Sequence, residues 1–172
     1  MAAELDKMVQ EVLEEILGVE VDKLGGVDFF DAVQNPKGYV PKAKFQVFDD
    51  ASSRIALSNQ MLSDPRLNHP LDVRYRIAHE AGHAKDFYGR AKGDVNSWIM
   101  TSPARKEVLA DSAAMNYFRK HGYKFGPAMA AGAAGPPPSS AYRFFGPMAK
   151  RFGLSPLFVM SLLTSVGLMG EE

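Results

Sequence analysis

The sequence predicts an α+β fold: a small antiparallel sheet packed on a central helix, with a mostly helical remainder. Three observations predict it. Apolar residues recur at helical spacing near the N-terminus. Two short alternating stretches follow, at 45–48 and 54–59. Two long segments with strong helix start and stop signals come next. Helices gathered around one short hairpin make an α+β arrangement, not an alternating α/β one.

In chain order, Leu5, Met8, Val9, Val12, Leu13, Ile16 and Leu17 share one helical face, and Gly18 follows as a stop. Gly25-Gly26 and Asn35-Pro36 mark turns. FQVF at 45–48 and RIALSN at 54–59 alternate, with a turn at Asp49-Asp50-Ala51-Ser52 between them. They read as a hairpin or as neighbouring strands. Asp64-Pro65 and His69-Pro70 break the chain before a helix at about 71–88, stopped by Gly89. Residues 89–102 are polar and read as irregular. Ser102 followed by Pro103 opens a further helix, with Ser as cap and Pro in the first turn. It runs to Lys120 or His121 and ends at Gly122. GPAMAAGAAGPPPSS at 126–140 has the composition of a flexible loop or lid. Two more helices are expected around 142–152 and 156–168.

The 172 residues, 46% of them hydrophobic, allow one domain with a real core and are too few for two full ones. Twenty basic and twenty acidic residues cancel, so no global charge draws the chain to nucleic acid or an anionic membrane. The absence of cysteine excludes disulfides and thiolate metal sites, and a reducing cytosol is the natural reading. The N-terminus carries acids among its apolar residues and lacks the pattern of a signal peptide. The apolar stretch LSPLFVMSLLTSVGLM, at 154–169, is shorter than a bilayer span requires and reads as a buried helix.

The chemistry is concentrated in RYRIAHEAGHAKDFY, at 74–88. Two of the chain's four histidines, His79 and His83, stand four residues apart there. On a helix, that spacing puts both imidazoles on one face, where they can hold one divalent ion. Glu80 is rotated about a hundred degrees from His79. It need not bind the ion and can reach a water on it, as a general base does in a zinc peptidase. The alternative is an ordinary amphipathic helix whose histidines hydrogen-bond locally. Ile77, Ala78, Ala81 and Ala84 argue against it, because they mark a closely packed helix in which unpartnered histidines are costly.

A catalytic zinc takes three protein ligands and keeps one position open. Without cysteine, the third ligand must be Glu, Asp or His. Glu107 is the first choice. It lies on the helix that follows, with Ala110, Asp111 and Ala114 on the same face, and the alanines permit close approach. Asp111, one turn on, can accept the hydrogen bond from the far nitrogen of a ligating histidine. Asp111 and Asp86 are the alternative ligands, Asp86 because it shares the face of His79 and His83. Against this, Glu107 and Asp111 could simply be acids near a helix start, favoured there by the dipole. His69 and His121 sit beside breakers and read as structural, although either could stabilise an oxyanion. Tyr88, Tyr117 and Tyr123 are further donors that could assist one. Arg54, Ile55, Ala56, Leu57, Ser58 and Asn59, if they form a sheet edge beside the cleft, could hold a peptide by strand addition.

HExxH followed by ExxxD on a later helix resembles the gluzincin metallopeptidases. Within them, RYRIAHEAGH resembles the RFTLAHELGH stretch of ImmA/IrrE-type peptidases. EVLADSAAMNYF resembles their E..A[ND].FA stretch, and AKRFGLSPLFVMSLLTSVGL their C-terminal pattern. The resemblance covers roughly residues 45–168, with RIALSN where these proteins have the strand before the active-site helix. Leu162 stands where the family often has arginine, 126–140 looks like an insertion, and the region before 45 matches loosely. The resemblance implies a zincin-like minimal metallopeptidase domain over 1–172. Its N-terminal helix and loops would occupy 1–44, its zinc-binding core 45–125, its loop 126–140 and its C-terminal helices 141–172. It also implies a cytoplasmic endopeptidase with one zinc per chain, acting on a protein or peptide such as a regulatory repressor.

Two other readings compete. One is a catalytically silent zinc-binding regulatory protein, against which the retained Glu80 argues. The other is a DNA-associated protein, because 148–168 mimics a helix-turn-helix with Gly153 at the turn and Ser155 opening the second helix. That second helix has no Arg, Lys, Asn or Gln with which to read bases.

Overall fold

A computed structural model describes residues 2–31 and 42–126. The expected loop beyond Gly126, the two C-terminal helices and the helix-turn-helix-like segment lie outside the described residues.

The fold is α+β, as the patterning implies. Helix α1 (Ala2–Leu17) buries Val12, Leu13, Ile16 and Leu17, and Gly18 at φ 58° turns the chain into a short 3₁₀ helix (Gly18–Lys23). Strands β1 (Val27–Phe30), β2 (Ala43–Val47) and β3 (Ser53–Ser58) form one sheet in the order β1-β3-β2. β2 and β3 are the antiparallel pair expected from alternation, with Phe45 opposite Ile55. The turn between them is tied by Asp50, which accepts from the Ser52 backbone N–H at 2.9 Å, and it carries Ala51 at φ 62°.

The sheet is mixed, because β1 adds to β3 in parallel, Val27 opposite Ile55. This strand has only four residues, is half exposed and is interrupted by Asp28, so its alternation is weak. Partners in space hold it: the Asp28 carboxylate pairs with Arg54. As a result β3 is the central strand, hydrogen-bonded on both sides. The expectation that 54–59 forms a sheet edge able to take up a peptide is overturned. Arg54, Ile55, Ala56, Leu57 and Ser58 have their backbone pairing filled by β1 and β2. Asn59 opens the short helix α2 (Asn59–Ser63) and donates to Asp31 at 2.9 Å.

Helix α3 (Pro70–Gly89) is the axis of the molecule. His69 caps it: its Nδ1 accepts from the Leu71 N–H at 3.3 Å, and Pro70 occupies the first turn. One side of α3 packs on the sheet and the others against α1 and α5, so thirteen of its residues are buried. The chain reverses after it through Lys92 and Gly93 at positive φ, not at Gly89, which is the last helical residue. Segment 89–102 is not irregular throughout. Asp94 caps helix α4 (Val95–Met100), accepting from the N–H groups of Asn96 and Ser97 at 3.2 and 3.1 Å. Helix α5 (Pro103–His121) starts and stops where the sequence places it. Ser102 Oγ accepts from the Arg105 N–H, and Gly122 takes φ 65°.

One hydrophobic cluster joins α1, β3, α3 and α5, with Ile55, Leu57, Ile77, Ala81, Phe87 and Ala114 fully enclosed. Among the described residues no helix is long and apolar enough to cross a membrane. Leu57 is 0% exposed on the central strand. Leu57→Ala should therefore cost about 2–5 kcal/mol, from lost transfer energy plus the cavity left behind. Urea denaturation should show a lower midpoint at an unchanged slope. A negligible shift would place β3 outside the cooperative core.

Candidate metal centre

The centre is built where α3 and α5 run antiparallel and close. Three small residues make this possible. Gly82 faces Ala110 and Ala113 so tightly that a Cβ on Gly82 would lie 2.7 Å from Ala110 Cα and 2.8 Å from Ala110 O. Both are backbone atoms and cannot step aside. The third residue of the HEAGH insert is thus a packing requirement that the motif spacing alone does not reveal.

At this approach the two helix faces interlock. His83 Nε2 lies 3.4 Å from Glu107 Oε1 and His79 Nε2 lies 3.3 Å from Glu107 Oε2, so the carboxylate straddles both imidazoles. One turn along, His79 Nδ1 contacts Asp111 Oδ1 at 2.8 Å. His79, His83 and Glu107 each offer a ligand atom, and these atoms all lie within 4.8 Å of one another. Ligands placed tetrahedrally at the usual zinc distances stand about 3.4 Å apart. The two His–Glu separations are of that size, although they run to different oxygens of Glu107, so the three side chains stand close enough together to hold a divalent ion.

The two histidines are held differently. The Nδ1–H of His79 is fixed by Asp111, the arrangement that sets the tautomer of a ligating imidazole. His83 Nδ1 is buried and has no hydrogen-bond partner among the described residues. Its ring is held by packing, edge-on to His79 at 4.8 Å and to Trp98 of α4 at 6.1 Å. Glu80 is buried on the same helix and makes no hydrogen bond or ion pair to a described residue, although its charge reaches His79. It is a carboxylate with its oxygens uncommitted.

Electrostatics favour positive charge here. Burial alone would lower the pKa of His79, but hydrogen bonds to Asp111 and Glu107 outweigh it and hold the imidazole well above its ordinary value. Burial likewise works against ionisation of Glu107, and hydrogen bonds to His79 and His83 override it, holding the carboxyl well below the usual carboxylate range. A site that keeps a proton between carboxylates also attracts a cation, for which that proton must leave.

Other expectations fall away. Asp86 is no ligand: its carboxylate is taken by Arg90 one turn on, through two contacts of 2.7 Å. None of the named oxyanion donors reaches the centre. The Tyr88 hydroxyl bonds Ser53 Oγ and the Lys23 carbonyl at the sheet. Tyr117 accepts from Arg74 at 2.8 Å, His121 meets Glu15 at 2.6 Å, and Tyr123 stacks on His121. These three gather near the far end of α5; Tyr117 is ten residues on from Glu107, roughly 15 Å along the axis. His69 is committed to capping α3. Conversely, Tyr75 and Trp98 contact the centre and were not singled out from sequence. Tyr75 had a usable signal, since it stands one turn before His79 on the same face.

Comparison with family models, curated proteins and solved structures finds no match. The likeness to gluzincins rests on the motif residues themselves.

Two outcomes follow from this geometry. Gly82→Ala should destabilise the protein although alanine is the better helix former by about 1 kcal/mol. Overpacking against backbone costs about 1–3 kcal/mol or more, and the clash should also displace Glu107. A lower urea midpoint together with weaker divalent-ion binding checks this; a gain in stability would show that the helices part freely. Second, an ion must displace the proton on His79, so apparent affinity should rise by about tenfold per pH unit. The rise should persist above the ordinary imidazole range and level off only past the raised pKa. Calorimetric or chelator-competition titrations across pH read this directly, and pH-independent affinity would contradict it.

Proposed function

We propose that this chain is a zinc-dependent endopeptidase of the gluzincin kind. One observation carries the reading: His79, His83 and Glu107 converge on one point, and Asp111 backs His79. Two imidazoles and one carboxylate with an open position form a catalytic and not a structural zinc set. A bound zinc ion would acidify a water and polarise the scissile carbonyl.

The chain's own residues do the rest. His79 and His83 supply neutral Nε2 donors, and Glu107 supplies the anionic one. Asp111 keeps the His79 proton on Nδ1 and thereby frees Nε2 for the ion. Glu80 takes the proton of the attacking water and delivers it to the leaving amine, a role for which an uncommitted carboxylate beside a ligand is required. The peptide would add to β2, not β3. Among the described residues β2 pairs only with β3, and its Phe45 packs on Trp98, which in turn packs on His83. The setting of such an enzyme would be the cytoplasm and its substrate a protein or peptide, for instance a regulatory one.

The test compares wild type, His83→Ala and Glu80→Gln, each purified without a histidine tag. About one zinc per chain is expected in wild type and in Glu80→Gln, and loss of it in His83→Ala, by elemental analysis. Glu80→Gln should capture a protein that wild type cleaves. Cleavage at full rate by Glu80→Gln would remove Glu80 as the base, and absence of zinc in the reconstituted wild type would remove the proposal.

A further inference from the structure

We propose that Tyr75 is a positioning residue for the metal centre: its hydroxyl clamps Asp111, and through Asp111 it fixes the ligating orientation of His79. The inference rests on the metal reading of the centre and extends it by one residue that the HExxH…ExxxD pattern does not contain.

The geometry is a chain of contacts across the α3–α5 seam. Tyr75, His79 and His83 stand at successive turns of α3, and Glu107 and Asp111 at successive turns of α5. Because the helices are antiparallel, the rungs fall in order: His83 to Glu107, His79 to Glu107, His79 to Asp111, and Tyr75 to Asp111. The Tyr75 hydroxyl donates to Asp111 Oδ1 at 3.2 Å, the same oxygen that His79 Nδ1 meets at 2.8 Å. An ionised carboxylate only accepts, so two donors on one oxygen are compatible, and they approach it from adjacent turns of one helix. With His79 as its sole partner, the Asp111 side chain could rotate with the imidazole. A second donor from a rigid position removes that freedom.

Tyr75 is rigid. It is 3% exposed, and its ring is packed edge-on against Phe118 at 5.3 Å and Phe125 at 5.8 Å. A buried phenol requires a polar partner, and Asp111 is the one it has. Burial, reinforced by the Asp111 charge, keeps this phenol well above its ordinary pKa, so it remains a donor. Aromatic packing at the far end of α5 is thus coupled to the orientation of an imidazole one turn away. Among the described residues His83 has no equivalent support, so the placement of an ion would depend all the more on His79.

The experiment uses the full chain with zinc as probe, in wild type, Tyr75→Phe, Asp111→Asn and the double variant. Phenylalanine keeps the ring packing and removes only the hydroxyl. Zinc affinity is read by chelator competition. The His79 imidazole N–H resonance is read by NMR in the metal-free protein, and the urea midpoint of that same protein reports stability separately. Tyr75→Phe is expected to weaken zinc about tenfold, the lower end of what outer partners of metal ligands contribute. It should also broaden the His79 N–H resonance by faster exchange. Asp111→Asn should weaken zinc further, and adding Tyr75→Phe to it should change nothing more, since the hydroxyl acts only through Asp111. Wild-type zinc affinity and an unchanged resonance in Tyr75→Phe, even with a lowered urea midpoint, would make the contact merely structural and overturn the inference while leaving the metal centre standing. Zinc bound as tightly by His83→Ala as by wild type would instead overturn the metal reading, and this inference with it.

Discussion

Everything at the centre depends on how closely α3 and α5 approach at Gly82. Two imidazoles on one helix cannot enclose an ion alone; the third donor must come from outside, and its reach is short. A glutamate side chain on a helix at ordinary separation would stop short or bend. Here the backbone of Ala110 fills the place where a Gly82 side chain would be, and Ala78, Ala81 and Ala114 are fully buried along the same seam. The helices come near enough for Glu107 to meet both histidines at once. Small residues in the interface are therefore as much a part of the donor set as the donors. A larger residue there removes no ligand atom and still separates them.

The same approach explains how the charges are tolerated. Glu107 and Asp111 lie partly inside, against two largely buried histidines, where an unpaired carboxylate would be costly. Each acid is paired through an imidazole, and the imidazoles are paired through the acids. The network favours one extra positive charge, first as a proton on His79. Elsewhere the chain neutralises acids with conventional partners: Asp86 with Arg90, and Glu15 with Lys120 and His121. Among the described residues, the α3–α5 seam is where two carboxylates and two imidazoles meet without a lysine or arginine between them, which leaves the cluster room for a cation.

Legibility in the sequence follows the range of the interactions. HEAGH, Glu107 and Asp111 were legible because helical spacing and the Ser102-Pro103 start fix which residues share a face, and the caps are local hydrogen bonds. Helix α1 and the β2–β3 pair were legible for the same reason. What could not be read depends on contacts distant in sequence. β1 is held by β3 and by the Asp28–Arg54 pair, 26 residues apart, and its arrival turns β3 from an expected edge into the central strand. Helix α4 is six residues long and is stabilised by its Asp94 cap and by Trp98 against Phe45 and Phe87. Tyr88, Tyr117, Tyr123 and His121 were plausible donors by type, but a side chain's direction is set by tertiary partners, and theirs turn them elsewhere.

Glu80 stands apart from this network, and the contrast carries the functional argument. Of the five acidic and histidine side chains that share the centre, four are bound to one another and one is not. The Glu80 residue is largely covered, yet its carboxylate oxygens are not among the enclosed unpartnered atoms, so they remain within reach of water. A carboxylate beside the donor cluster and open to water is the arrangement on which the proposed base role of Glu80 rests. The hydrogen bonds at the seam orient His79 and leave Glu80 without a partner among the described residues, so one helix carries both a fixed imidazole and an unengaged carboxylate.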